Sequence, residues 1–153
     1  MVTNRLIKSI YILISTFLIF NSNSRQAYGV EYDFDFIMYK NGESTNQSIK
    51  FSVYDKIYYQ LKIKNLPKGS YYLTTEWYNP TKKLQEKSNL NYIQKHENVS
   101  ADFLSWLKLH KINAFSRILS PTNFNPIFYG TWEIKIYLNG DLIVKKYFSI
   151  GID

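Results

Sequence analysis

The sequence contains no cysteine, only two histidines, four prolines and six glycines among its 153 residues. Without cysteine there are no disulfide staples, thiolate metal sites, thiol nucleophiles or lipid-modified cysteine anchors. Six glycines leave little room for a phosphate-cradling loop, and no such motif is written. His96 and His110 stand far apart with only Asp102 between them, so neither a zinc-ligand spacing nor an H-E-x-x-H helix is present. No G-x-S-x-G elbow accompanies the serines nearest these histidines, Ser100, Ser105 and Ser116. Glu31, Asp33 and Asp35 are paired carboxylates only in sequence. Their period of two puts them on one strand face, where solvation and edge protection explain them without glycoside cleavage. The expectation is a non-catalytic protein with no metal and no cofactor.

What the sequence does have is apolar and aromatic residues, at 45% and 18%, with tyrosine at 14 positions. That content argues against disorder, because a disordered chain lacks the apolar surface to offset ordering entropy. The length suits one domain. The longest apolar run, Ser9 to Phe20, falls short of the roughly 20 residues of a spanning helix. It follows the cations Arg5 and Lys8 and precedes a polar segment with small residues, the layout of a secretory signal peptide. Ala27 and Gly29 supply small residues for cleavage after Gly29, with Ser22-Asn23-Ser24 as a second option and an uncleaved anchor as the competing reading. The division is therefore a signal peptide over 1–29 and a domain over 30–153, secreted or periplasmic, with no stable membrane span after cleavage. Cleavage takes away Arg5, Lys8 and Arg25 and no acid, so the net charge of +7 becomes +4. The remaining lysines are spread along strands and turns rather than clustered in a stripe, so no nucleic-acid partner is expected.

The domain is written in period two. Tyr32, Phe34, Phe36 and Met38 alternate with acids. Ile57, Tyr59, Leu61 and Ile63 alternate with Tyr58, Gln60, Lys62 and Lys64. Tyr71, Leu73, Thr75 and Trp77 share one face of another strand, closed by the turn Asn79-Pro80-Thr81-Lys82. Leu90, Tyr92 and Ile93 suggest a short strand. Val99 to Lys111 reads as a strand or as a helix capped by Ser100, the strand being favoured by its all-β surroundings. Ala114 to Phe128, with Pro121 and Pro126, reads as a long surface loop. Trp132, Ile134, Ile136 and Leu138 lead into Asn139-Gly140, a preferred two-residue hairpin turn. The return strand changes phase near Lys145-Lys146, which suggests a bulge there. Seven to eight short strands indicate an antiparallel β-sandwich, with an eight-stranded barrel as the competing closure.

The stretch Gly130 to Gly140 with Leu142 and Phe148 resembles the last hairpin of cysteine-free bacterial secreted immunoglobulin-like or fibronectin-type-III-like domains. Gly69-Ser70-Tyr71-Tyr72-Leu73, through Trp77 and Pro80, is similar to an earlier strand and turn of such domains, with Trp77 in the place of their core tryptophan. The resemblance covers two hairpin-sized stretches and implies an Ig-like sandwich. It implies no activity, because this architecture hosts many functions.

Phe34, Phe36, Tyr59, Tyr71, Trp77, Trp132 and Phe148 are expected inside, and Tyr58, Tyr72, Tyr78 and Tyr137 outside. Exposed tyrosines serve as ordinary strand surface, as anchors of a protein interface or as platforms for sugar rings. These four are the candidate binding residues, and they form one surface only if their strands are neighbours. The expected function is a protein-interaction module of the cell envelope, its partner another envelope or secreted protein. A carbohydrate-binding module is the alternative, and a small envelope hydrolase the least favoured. Asn46-Gln47-Ser48 and Asn98-Val99-Ser100 match the glycosylation sequon and stay unassigned.

Overall fold

The computed structural model describes residues 25–27, 30–42, 44, 47–110 and 124–151, with side chains from residue 33 onward. The expected signal run, its Gly29 cleavage site, the Asn46 sequon and most of the 114–128 loop lie outside the described residues. Among the described residues no helix is long and apolar enough to cross a membrane.

The domain is an all-β sandwich of two sheets. Strands β4 (Lys50–Ser52), β10 (Asp141–Gly151), β9 (Gly130–Leu138), β6 (Gly69–Tyr78) and β7 (Leu84–Gln94) form one sheet in that spatial order. Strands β3 (Phe34–Lys40), β5 (Lys56–Leu66) and β8 (Val99–Lys108) form the other. A separate ribbon pairs β1 (Arg25–Ala27) with β2 (Val30–Tyr32). Within the two sheets every pairing is antiparallel except β10 with β4, which is parallel.

The period-two pattern becomes the inner and outer faces of each sheet. Ile57, Tyr59, Leu61 and Ile63 of β5 are buried, and so are Leu73, Thr75 and Trp77 of β6 and Trp132, Ile134, Ile136 and Leu138 of β9. The seven aromatics expected inside all face the core, with Phe34, Phe36 and Tyr71 packed against it and only partly covered. At the centre Trp77 meets Phe148 edge-on at 5.8 Å and lies 6.0 Å from Tyr59, while Trp132 stacks on Phe148 at 6.1 Å. Such ring contacts add to area burial and fill a core that has no disulfide.

Turn chemistry sets the register. Asn139 and Gly140 take φ of 52° and 92°, as a two-residue hairpin turn requires. Asn139 also grips Tyr72: its N–H donates to the Tyr72 carbonyl and its side-chain oxygen accepts from the Tyr72 N–H, both at 2.8 Å. Gly130 has φ of 127°, and a Cβ there would come within 3.3 Å of Pro80, so the start of β9 and the turn after β6 can approach only through a glycine.

Three readings change and one, the favoured strand over Val99–Lys108, holds. The first half-buried strand is broken at Asp33 into β2 and β3, and the Asp33 carbonyl accepts from the Lys64 N–H at 2.7 Å. The Leu90-Tyr92-Ile93 fragment belongs to an eleven-residue strand. Val99–Lys108 is a strand, with Ala101, Phe103 and Leu107 turned inward. The phase change in β10 lies between Leu142 and Val144, not at Lys145-Lys146. This places Lys146 opposite the core residue Ile134.

Candidate functional site

The pairing decides which tyrosines share a surface. On the outer face of the five-stranded sheet Thr74 is opposite Tyr137, Glu76 opposite Lys135 and Tyr78 opposite Glu133. β10 adds Lys145 opposite Lys135 and Tyr147 opposite Glu133, while β7 adds Lys87 opposite Glu76 and Asn91 opposite Tyr72. Tyr72, Tyr78 and Tyr137 therefore lie on one face. Tyr58 is on the outer face of the other sheet, stacked on Tyr39 at 5.4 Å and paired across strands with Trp106. The four candidates belong to two surfaces.

The first surface is wired by charge. The Tyr78 hydroxyl donates to Glu76 at 2.6 Å, and Lys87 reaches the other Glu76 oxygen at 3.0 Å. Lys135 lies 4.5 Å from the centre of the Tyr78 ring, over its face. Glu133, almost fully buried, draws in three ammonium groups: Lys145 at 3.2 Å, Lys135 at 3.6 Å and Lys82 at 3.7 Å. Lys145 meets Oε1 as an ion pair rather than as an aligned hydrogen bond, and that buried oxygen has no aligned donor.

These contacts set the titration. The hydrogen bond to Glu76, then burial, pushes Tyr78 up to about 12. The same bond holds the Glu76 carboxyl below its ordinary range against the opposing effect of burial. Burial also opposes charge on Glu133, but the approach of Lys145 and the fields of Lys135 and Lys82 outweigh it and lower its pKa. Burial, then the negative charge of Glu76, raises Tyr137. A carboxylate held below its usual range is a poor general base at neutral pH, and a tyrosine near 12 is a poor nucleophile. The network is built to hold fixed charges.

The second surface is smaller. Tyr39, Tyr58 and Trp106 run in a row across β3, β5 and β8, with Lys56 3.9 Å from the Trp106 ring centre and 4.9 Å from that of Tyr58. The Gln60 amide donates to Asp102 beside it at 3.3 Å.

A third feature joins the sheets at one flank. β7 and β8 are edge strands of different sheets, joined by a turn in which Asn98 takes φ of 53°. Tyr92 meets Phe103 edge-on at 5.1 Å. The buried Gln94 amide donates to the Val99 carbonyl at 2.9 Å and, more weakly, to that of Leu66, and its oxygen accepts from Tyr92. Further along, the strands part over a cleft of about 190 Å³ lined by Leu73, Leu90 and Leu104. The Tyr59 and Thr75 hydroxyls, 2.5 Å apart, lie at its base. Leu84, Leu90 and Ile93 of β7 and Val99, Leu104 and Trp106 of β8 are all exposed.

Reading the sequence singled out Tyr72, Tyr78 and Tyr137 but not Glu133 or Glu76, nor the edge residues Leu104 and Trp106. Glu133 sits in plain alternation between Trp132 and Ile134, and of its three lysines only Lys135 is on the same strand, while Lys82 and Lys145 come from other segments, so local spacing does not announce the cluster. Among the described residues no group of three His, Cys, Asp or Glu side chains could hold a metal ion.

No family model matches the chain, and no curated protein matches it. Similar solved structures include a β-glucosidase from Listeria innocua in complex with glucose, at a TM-score of 0.45 and 12% identity, covering 81% of this chain. Another is a β-glucosidase involved in saponin metabolism from intestinal bacteria, at 0.44 and 12%, covering 80% of this chain. The Listeria enzyme with gluconolactone gives 0.44 and 13%, covering 81%. The chain spans 17% of the length of each of these enzymes. Likeness at this level assigns neither family nor activity.

Proposed function

We propose that the protein is an exported, non-catalytic interaction module of the cell envelope, an Ig-like or fibronectin-type-III-like sandwich whose partner is another envelope or secreted protein. The observation that carries this reading is the β7–β8 flank, where among the described residues two unpaired strand edges adjoin, with Leu90 exposed at the gap between them and Leu84, Ile93 and Leu104 exposed on the adjoining outer faces. A free edge offers main-chain hydrogen bonds to an added strand, and the apolar side chains beside it supply the contact area. The charged network keeps the centre of the five-stranded sheet's outer face solvated, and the exposed apolar residues gather toward its β7 edge. Export rests on the N-terminal run and the small residues at Ala27 and Gly29. The exported protein should begin at Val30 by mass spectrometry, and a mature chain beginning at Met1 would refute cleavage.

Carbohydrate binding is the second reading, favoured by the Tyr58–Trp106 row beside Gln60 and Asp102. A glycan array separates the two. Saturable sugar binding lost in Trp106→Ala or Tyr58→Ala would replace the protein-partner reading.

A further inference from the structure

On the flank opposite β7 and β8, the free edge of β3 faces β10 across a second, larger gap. The segment Gln47–Ile49 crosses it. Gln47 bridges to Tyr39, and the Ser48 N–H donates to the Met38 carbonyl at 2.9 Å. The Ile49 carbonyl then accepts from the Ser149 N–H at 2.8 Å. β4 pairs with β10 only along Ser149–Gly151, so among the described residues β10 has no strand neighbour on that side at Lys146 and Tyr147. The result is a cleft of about 300 Å³ with Phe36, Met38 and Ile49 on its walls and Lys146 and Tyr147 along its other side.

Lys146 is the anomaly. The bulge between Leu142 and Val144 gives it an inward register, opposite Ile134, where a lysine would be excluded if the sheets closed over it. Among the described residues no carboxylate comes within ion-pair distance of its ammonium. Other exposed lysines share that lack, and what sets Lys146 apart is its inward register at the mouth of the cleft, where it remains solvent-exposed. The Ser48 hydroxyl is already engaged with the Lys50 carbonyl at 2.6 Å. An apolar cleft with one uncompensated cation is complementary to an apolar chain that ends in a single negative charge.

We propose that this cleft binds a small aliphatic monocarboxylate, its tail between Phe36, Met38 and Ile49 and its carboxylate on Lys146. A cleft of about 300 Å³ open on one side has room for a short aliphatic chain, and an eight-carbon carboxylate serves as the probe. The site is independent of the β7–β8 flank, so either proposal can fail alone.

The test is titration of the full chain with sodium octanoate, octan-1-ol and octylamine, all below their aggregation thresholds, followed by amide NMR shifts and calorimetry. Octanoate should bind saturably, with shifts centred on Phe36, Ile49 and Lys146, and octanol and octylamine should bind at least about tenfold more weakly, because the charge-assisted contact is missing. Lys146→Gln should weaken octanoate by about tenfold and leave octanol unchanged, while Lys146→Arg retains binding. Ile49→Glu, at an exposed position, should abolish octanoate binding with the fold intact by circular dichroism. Equal binding of octanoate and octanol, an unaffected Lys146→Gln variant, or no saturation would each overturn the proposal.

Discussion

Tyr92 of β7 and Phe103 of β8 meet edge to face 5.1 Å apart, closing the sandwich at one end of the flank where both sheets end in open strands. Beyond that contact the strands diverge, and Leu90 and Leu104 are left on the rim of a gap. Phe103→Ala should lower stability by about 3–5 kcal/mol, the cost of deleting a buried ring. Leu90→Lys with Leu104→Lys should change it by no more than about 0.5 kcal/mol per site, because both side chains are already exposed. Urea denaturation of the two variants checks the contrast.

The two buried tryptophans are not equivalent. The Trp132 indole N–H donates to the Phe128 carbonyl at 2.7 Å, whereas the buried Trp77 N–H has no partner among the described residues. Substitution by Phe removes similar volume at each. At position 132 it also strands a carbonyl, and at 77 it removes an uncompensated donor. Trp132→Phe should therefore be more destabilising than Trp77→Phe by about 1–3 kcal/mol in urea melts.

Strand alternation made the core readable, because β5, β6 and β9 each have one face on the core and repeat with period two. β7 was legible only at Leu90, Tyr92 and Ile93, since an edge strand left open by a narrower facing sheet is exposed on both sides, and Gln85 to Ser88 have no reason to alternate. The bulge in β10 was misplaced for a related reason. Avoiding an inward lysine shifts it toward Lys145-Lys146, but the sandwich is open there and an inward register is tolerated. The Tyr72–Tyr78–Tyr137 face depended on strand order and the lysine cluster on Glu133 depended on tertiary approach, neither of which local spacing encodes.

The pKa of Glu133 is depressed in the folded state, so its contribution to stability is present above the unfolded value, about 4.3. It is lost as pH falls through the lower folded value. Glu133→Gln should cost about 1–2 kcal/mol at neutral pH, between the values for exposed and for buried pairs, because Lys82 and Lys145 can return to water. The difference from the parent protein should shrink as the pH is lowered below that unfolded value. Melting temperatures across pH 2.5–7 test it, and a pH-independent difference would contradict it.

Tyr78, raised to about 12, behaves oppositely: its stabilisation is complete below the unfolded tyrosine value of about 10 and is lost as pH rises toward 12. Glu76→Gln removes the carboxylate that accepts its proton and should bring the Tyr78 titration down toward 10. Ring-carbon NMR of labelled tyrosine reads this directly.

The most direct test of the interaction-module account is site-specific photo-crosslinking in the exporting cell, with the probe at Leu90, Val99 or Tyr137 of the full chain. The account predicts a discrete protein adduct from Leu90 and Val99, suppressed when Leu104 is changed to Lys, and none from Tyr137. Adducts confined to Tyr137, or none from the flank while a glycan is bound saturably, would contradict it.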